Sequence, residues 1–78
     1  MLVTLVQELQ QTEESRLRRF FLRRFRNRAD AADATQETFL RLLASAQRSL
    51  IENPQAYLFR TARNIAVDQE RLQNRRAQ

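Results

Sequence analysis

Leu2, Leu5, Val6 and Leu9 recur at helical spacing, as do Leu17, Phe20, Phe21 and Phe25, and the polar run QQTEES separates the two groups. The pattern predicts one long amphipathic helix or two, with a break near Thr12, where a whole turn lacks an apolar residue. This part is expected to end around Arg26 to Arg28, where Asn27 can take the left-handed conformation in place of a glycine. Asp30 suits the N-cap of the next helix, with Asp33 three positions later facing the free amides and the positive helix end. That helix is expected to run to about Ala46. The segment QRSLIEN, Gln47 to Asn53, reads as a loop. Asn53 followed by Pro54 starts the last helix, because Asn caps free amides and Pro suits a first turn where its missing N–H costs nothing. This helix runs into the Arg-rich end and is expected to fray by Arg75. No internal repeat, low-complexity tract or linker interrupts the pattern.

Composition narrows the fold. The chain has no Gly and a single Pro, which argues against tight hairpin turns and hence against a sheet protein. With 78 residues, 42% of them hydrophobic, and no Cys to staple it, it can form one small domain with a marginal core. The expectation is an all-α fold, a compact three- or four-helix domain spanning residues 1–78. No apolar run approaches the roughly 20 residues that cross a bilayer, and MLVTLVQELQ lacks the basic start and small-residue cleavage pattern of a secretory signal. A cytoplasmic protein without membrane insertion is expected. Zero Cys, His and Gly remove thiol nucleophiles, the usual general base, most metal sites and phosphate-cradling loops. The chain is therefore not expected to be an enzyme, nor to need a cofactor, a metal or a small-molecule substrate.

All fourteen basic residues are Arg, and the net charge is +5. The charge is segregated. Residues 1–15 hold Glu8, Glu13 and Glu14 and no base, whereas residues 16–28 hold Arg16, Arg18, Arg19, Arg23, Arg24, Arg26 and Arg28 and no acid. The middle is again mildly acidic and the end basic. Such a field suits one polyanionic partner and one basic or neutral protein partner. A GC-rich coding genome accounts equally for the choice of Arg over Lys, but not for the segregation.

Rotating Asp30 to Leu43 at about 100° per residue puts Ala32, Thr35, Phe39, Leu42 and Leu43 on one side. Asp33, Gln36, Glu37 and Leu40 fall on the other, and an apolar anchor inside an acidic rim is the mixture of a protein interface. A solvated face with one stray leucine fits the same residues. Along Pro54 to Arg76, Leu58, Ala62, Ile65 and Leu72 form a core stripe, while Tyr57, Arg60, Thr61, Asn64, Asp68, Arg71 and Arg75 share another face. Guanidinium groups for phosphates, a ring that stacks on an unpaired base and an amide for base edges make a single-strand-binding composition. An ordinary solvated face with Arg60 or Arg71 paired to Asp68 is the other reading. On the first Arg-rich helix, Arg16, Arg19, Arg23 and Arg26 form a stripe that suits either DNA phosphates or solvent. Arg24 lies among Leu17, Phe20 and Phe21 and is expected to pair with a carboxylate of another helix.

The ordered features D-x-x-Q-E-x-F (Asp33 to Phe39), a loop, Asn53–Pro54, and Y-L-x-R-x-A-R-N-x-A-x-D (Tyr57 to Asp68) resemble the second conserved region of bacterial sigma-70 family factors of the extracytoplasmic-function group. The resemblance covers roughly Leu17 to Arg76. Within the group, ADAADATQETFLRLL and PQAYLFRTARNIAVD look most like the iron-siderophore signalling subgroup. The resemblance implies that the Asp30–Ala46 helix docks on the coiled coil of the RNA polymerase beta-prime subunit through Asp33, Gln36 and Glu37. It implies that Pro54–Arg76 and the loop before it melt and read the minus-ten promoter element and trap a flipped base of the non-template strand. Asn64 then stands at the base-reading position, Tyr57 near the usual tryptophan and Arg60 among the phosphate contacts. Tyr for Trp is a departure that keeps an aromatic ring. An anti-sigma factor is a further implied partner. The family's second domain, region 4, is not in the chain, which is therefore expected to be a fragment.

The candidate site residues are Tyr57, Arg60, Thr61, Asn64, Arg71 and Arg75 for DNA, and Asp33, Gln36, Glu37 and Leu40 for polymerase. Two other classes remain open: an Arg-rich helical module for structured RNA, and a protein-interaction adaptor whose charge serves solubility. The first would show no preference for promoter-like single strands and the second no salt-dependent nucleic-acid binding.

Overall fold

A computed structural model describes residues 2–77 as three helices, α1 (Leu2–Phe25), α2 (Arg28–Arg48) and α3 (Pro54–Ala77), joined by residues 26–27 and 49–53. Side chains are described for residues 3–76, so the apolar position expected of Leu2 lies outside them. The all-α expectation holds. No described helix is long and apolar enough to cross a membrane.

The first helix does not break at Thr12. Its hydroxyl donates to the carbonyls of Glu8 (3.2 Å) and Leu9 (3.3 Å), so it stays within the helix at an exposed position. The apolar gap that suggested a break is filled by Glu13, which is buried. Its carboxylate accepts from Arg16 Nη1 at 3.0 Å and from Gln55 Nε2 of α3 at 3.1 Å, so the buried acid is hydrogen-bonded across two helices.

The turn between α1 and α2 differs from expectation by one step in each role. Arg26, not Asn27, takes the left-handed conformation, with φ 56°, and its N–H donates to the Leu22 carbonyl. Asn27 is extended and serves as the N-cap of α2, its Oδ1 accepting from the Asp30 N–H at 3.1 Å. Asp30 is thus the third residue inside the helix, where its charge still faces the positive end. At the other end α2 continues two residues beyond Ala46, to Arg48, and the loop shortens accordingly. Asn53 caps α3 as expected, accepting from the Ala56 N–H at 3.0 Å, with Pro54 as the first helical residue. The last helix remains regular through Ala77 rather than fraying by Arg75.

Side-chain pairing sets the arrangement. Val3 to Gln10 of α1 lie beside Gln36 to Leu43 of α2 while Phe25 lies beside Asp30 to Ala34, and Tyr57 to Asn64 of α3 lie beside Arg41 to Arg48 of α2 while Ile65 to Leu72 lie beside Asp30 to Arg41. Glu13, Arg16 and Arg24 of α1 meet Gln55, Phe59 and Glu70 of α3 in the same order. α2 is therefore antiparallel to both neighbours, and α1 and α3 run parallel. The core holds Val6, Leu17, Phe21, Ala31, Ala34, Phe39, Leu42, Leu58, Ala62, Ile65 and Ala66. Phe21 stacks on Phe25 and meets Phe20 edge-on.

Three positions depart from the expected stripes. Ala32 is exposed, and Ala31, Ala34 and Thr38 face the core instead, with the Thr35 and Thr38 hydroxyls satisfied by the Ala31 and Ala34 carbonyls at 2.7 Å. Leu5 is 37% exposed, at the margin of the packed face. Leu72 is 42% exposed because α3 runs past its partners; residues 71–76 are all exposed.

Candidate functional site

The seam between α2 and α3 changes character along its length. At one end, Tyr57, Thr61 and Asn64 of α3 face Arg41, Ala44, Ser45 and Arg48 of α2 across an open groove of about 250 Å³. At the other, Asp30, Asp33 and Glu37 of α2 face Asp68, Gln69 and Leu72 of α3, with Phe25 closing a wider cleft. Arg41 borders both and pairs its Nε with Glu37 Oε2 at 2.9 Å, so the ion pair marks the boundary between a basic and an acidic region.

Helix spacing explains the groove. Tyr57, Thr61 and Asn64 stand at i, i+4 and i+7, as do Arg41 and Arg48 at i and i+7, so each set occupies one face of its helix. The Tyr57 ring is half-buried, and its hydroxyl is hydrogen-bonded to that of Ser45, 2.5 Å away. This bond fixes the ring against α2 with one edge open to the groove. Thr61 is buried at the groove floor, 9% exposed, so it shapes the site more than it projects from it. Asn64 and Arg60 are exposed. Arg71 and Arg75 are exposed farther along α3 and do not line this groove. Among the described residues neither Arg60 nor Arg71 pairs with Asp68.

Arg41, Ser45 and Arg48 belong to the groove although inspection of α3 alone did not bring them in. Their seven-residue spacing was visible in the sequence; the antiparallel register that turns this face toward Asn64 was not.

On α2, Asp33, Gln36, Glu37 and Leu40 are all exposed, as expected, with Leu40 at 55%. Gln36 and Leu40 border a shallow apolar groove formed with Val3, Val6 and Gln7 of α1 and Phe39 and Leu43 of α2. Asp33 and Glu37 border the acidic cleft on the α3 side. The four residues therefore form a ridge with an apolar flank and an acidic flank. A partner surface carrying both apolar and basic groups is the chemical complement of such a ridge.

Beside the 49–53 loop, Leu5, Val6, Leu42, Ile51 and Pro54 line a further hollow of about 330 Å³, which Leu50, 92% exposed, also borders. Gln47, Arg48 and Ser49 add polar groups to its otherwise largely apolar lining.

The family model for Sigma-70 region 2 matches residues 9–76, which takes in most of α1 and all of α2 and nearly all of α3. The chain belongs to the sigma-70 region 2 family. Region 2 of a sigma factor is a non-enzymatic part of transcription initiation, concerned with RNA polymerase binding and promoter melting, so polymerase and promoter DNA are the partners of this domain. No curated protein and no solved structure matches the chain.

Proposed function

We propose that this region 2 domain belongs to a sigma factor of the extracytoplasmic-function group, of the iron-siderophore signalling kind, and that it joins RNA polymerase to the minus-ten element. The observation that carries the reading is the two-ended seam, in which a ridge of Asp33, Gln36, Glu37 and Leu40 lies beside a groove holding Tyr57, Thr61, Asn64, Arg41 and Arg48. The ridge docks on the beta-prime coiled coil. The groove takes the melted non-template strand, with Asn64 hydrogen-bonding a base edge, Tyr57 stacking, and Arg60, Arg41 and Arg48 on phosphates. Arg71 and Arg75 continue the phosphate contacts along α3. The hollow beside the 49–53 loop receives the flipped base. An anti-sigma factor would cover parts of both faces.

Strand separation costs a few kcal/mol that a small domain is poorly placed to supply alone. The isolated domain should therefore bind single-stranded minus-ten DNA more tightly than the duplex. Fluorescence anisotropy with a labelled non-template strand, its scrambled counterpart and the duplex tests this. Preference for the promoter-like strand supports the reading. Equal binding of promoter-like and scrambled strands points instead to a general nucleic-acid module, and salt-insensitive or absent binding to an adaptor.

A further inference from the structure

On the face of the domain away from the α2–α3 seam, Arg16, Arg19 and Arg23 of α1 surround Phe20 and, from α3, Phe59. The Arg16 guanidinium lies over the Phe59 ring, 4.9 Å from its centre, and is held there by Glu13 at 3.0 Å. Arg19 and Arg23 are exposed and, among the described residues, paired with no carboxylate. Two neighbouring arginines outside the patch are used elsewhere: Arg18 pairs with Glu14, and Arg24 with Glu70. Removal of Glu70 from play by Arg24 leaves the patch cationic.

This patch is not isolated from the reading groove. At about 100° per residue, Asn64, Arg60, Arg63 and Phe59 follow one another around the circumference of α3. Arg60 and Arg63 are both exposed, and between residues 59 and 64 that arc carries no acid; Glu70, the one acid farther along it, is paired with Arg24. A basic path thus leads from the groove, over the outer surface of α3, to the Arg–Phe patch. Cations spaced along a path with partly open aromatic rings are the chemistry of a single-strand track.

We infer that Arg19 and Arg23, with Arg16 stacked on Phe59, form a second polyanion-binding site that holds the sugar-phosphate backbone of the same single strand beyond the bases read at Asn64. The inference rests on the proposed reading of that groove. Strands long enough to cross α3 gain contacts at this site, and strands confined to the groove do not.

The test uses this chain with labelled promoter-like strands of about six and about sixteen nucleotides, sizes spanning the usual single-strand sites. Arg19→Ala/Arg23→Ala should weaken the long strand roughly tenfold at low salt and lower its salt slope by about 1.4, roughly 0.7 per phosphate lost. Short-strand binding should match wild type, and Arg19→Lys/Arg23→Lys should restore most of the long-strand affinity. Both positions are exposed, and an unchanged circular dichroism melt shows that the variants fold. Wild-type binding of the long strand by the Ala variant, or equal losses at both lengths, overturns the second site while leaving the groove intact, as a loss of base preference in Asn64→Ala would show. Failure of the wild type to bind either strand overturns the groove reading and this inference together.

Discussion

The Tyr57 hydroxyl of α3 and the Ser45 hydroxyl of α2 are hydrogen-bonded to one another, which fixes the only tyrosine of the chain at the groove between the two helices. Ring and hydroxyl therefore have separable tasks. Tyr57→Phe should cost about 1 kcal/mol in urea unfolding, the typical worth of one hydrogen bond, and keep single-strand binding. Tyr57→Ala should in addition lose about 1–3 kcal/mol of strand affinity through the missing stack. Equal strand affinities for the Phe and Ala variants would show that the ring does not stack.

Asn64 and Arg60 are both exposed but are given different work. Asn64→Ala should change base preference, costing about 1–3 kcal/mol on the favoured sequence and little on others. Arg60→Ala should weaken all sequences alike and lower the single-strand salt slope by about 0.7. Titrations of a small oligonucleotide set at several salt concentrations separate the two patterns; uniform loss in both variants would contradict the division of labour.

Much of this organisation was legible in the sequence. Asn53–Pro54 fixed the start of α3 because cap chemistry and a pre-set φ agree at one spot, and the exposure of Asp33, Gln36, Glu37 and Leu40 followed from helical rotation alone. Arg24 was placed correctly as a cross-helix ion pair because a charge amid Leu17, Phe20 and Phe21 needs a partner. Other features depended on tertiary contacts. Glu13 looked like part of a polar break until Gln55 supplied a donor from α3. Leu72 looked like core until α3 was seen to outrun its neighbours. Ala32 stands at the margin of the stripe that places Thr35, Phe39 and Leu42 correctly, and the buried face is centred slightly toward Ala31, Ala34 and Thr38. Arg41 and Arg48 joined the groove only through the register of α2 against α3.

Arg24 of α1 reaches Glu70 of α3 at 2.5 Å and also lies 5.5 Å from the Phe20 ring centre. Both ends are more than a third exposed, so the pair itself should contribute only about 0.2–1 kcal/mol in a double-mutant cycle. Arg24→Ala should cost more than Glu70→Ala, by roughly 0.5–1 kcal/mol, because it also removes the contact with Phe20. Thermal or urea unfolding of both singles and the double provides the cycle, and equal single-mutant losses would remove the aromatic contribution.

Arg26 holds a left-handed backbone with φ 56° in a chain that has no glycine. A side chain there strains the backbone by about 1–2 kcal/mol, partly offset by the greater unfolded-state freedom of glycine. Arg26→Gly should therefore stabilise the domain by about 0.5–1 kcal/mol in urea unfolding. A loss of stability would mean that the Arg26 side chain contributes more to the turn than its backbone costs.

Docking of RNA polymerase on the exposed ridge of α2 is decided by the affinity of wild type, Glu37→Gln and Glu37→Lys for the isolated beta-prime coiled coil. Among the described residues Glu37 pairs with its helical neighbour Arg41 alone, about half exposed at both ends, so folding should lose no more than about 1 kcal/mol in any variant. Wild type should bind, Glu37→Gln should bind more weakly, and Glu37→Lys should lose about 2–5 kcal/mol by facing the partner with the wrong charge. Wild-type affinity in a folded Glu37→Lys variant, or no binding by the folded wild type, would contradict the assignment.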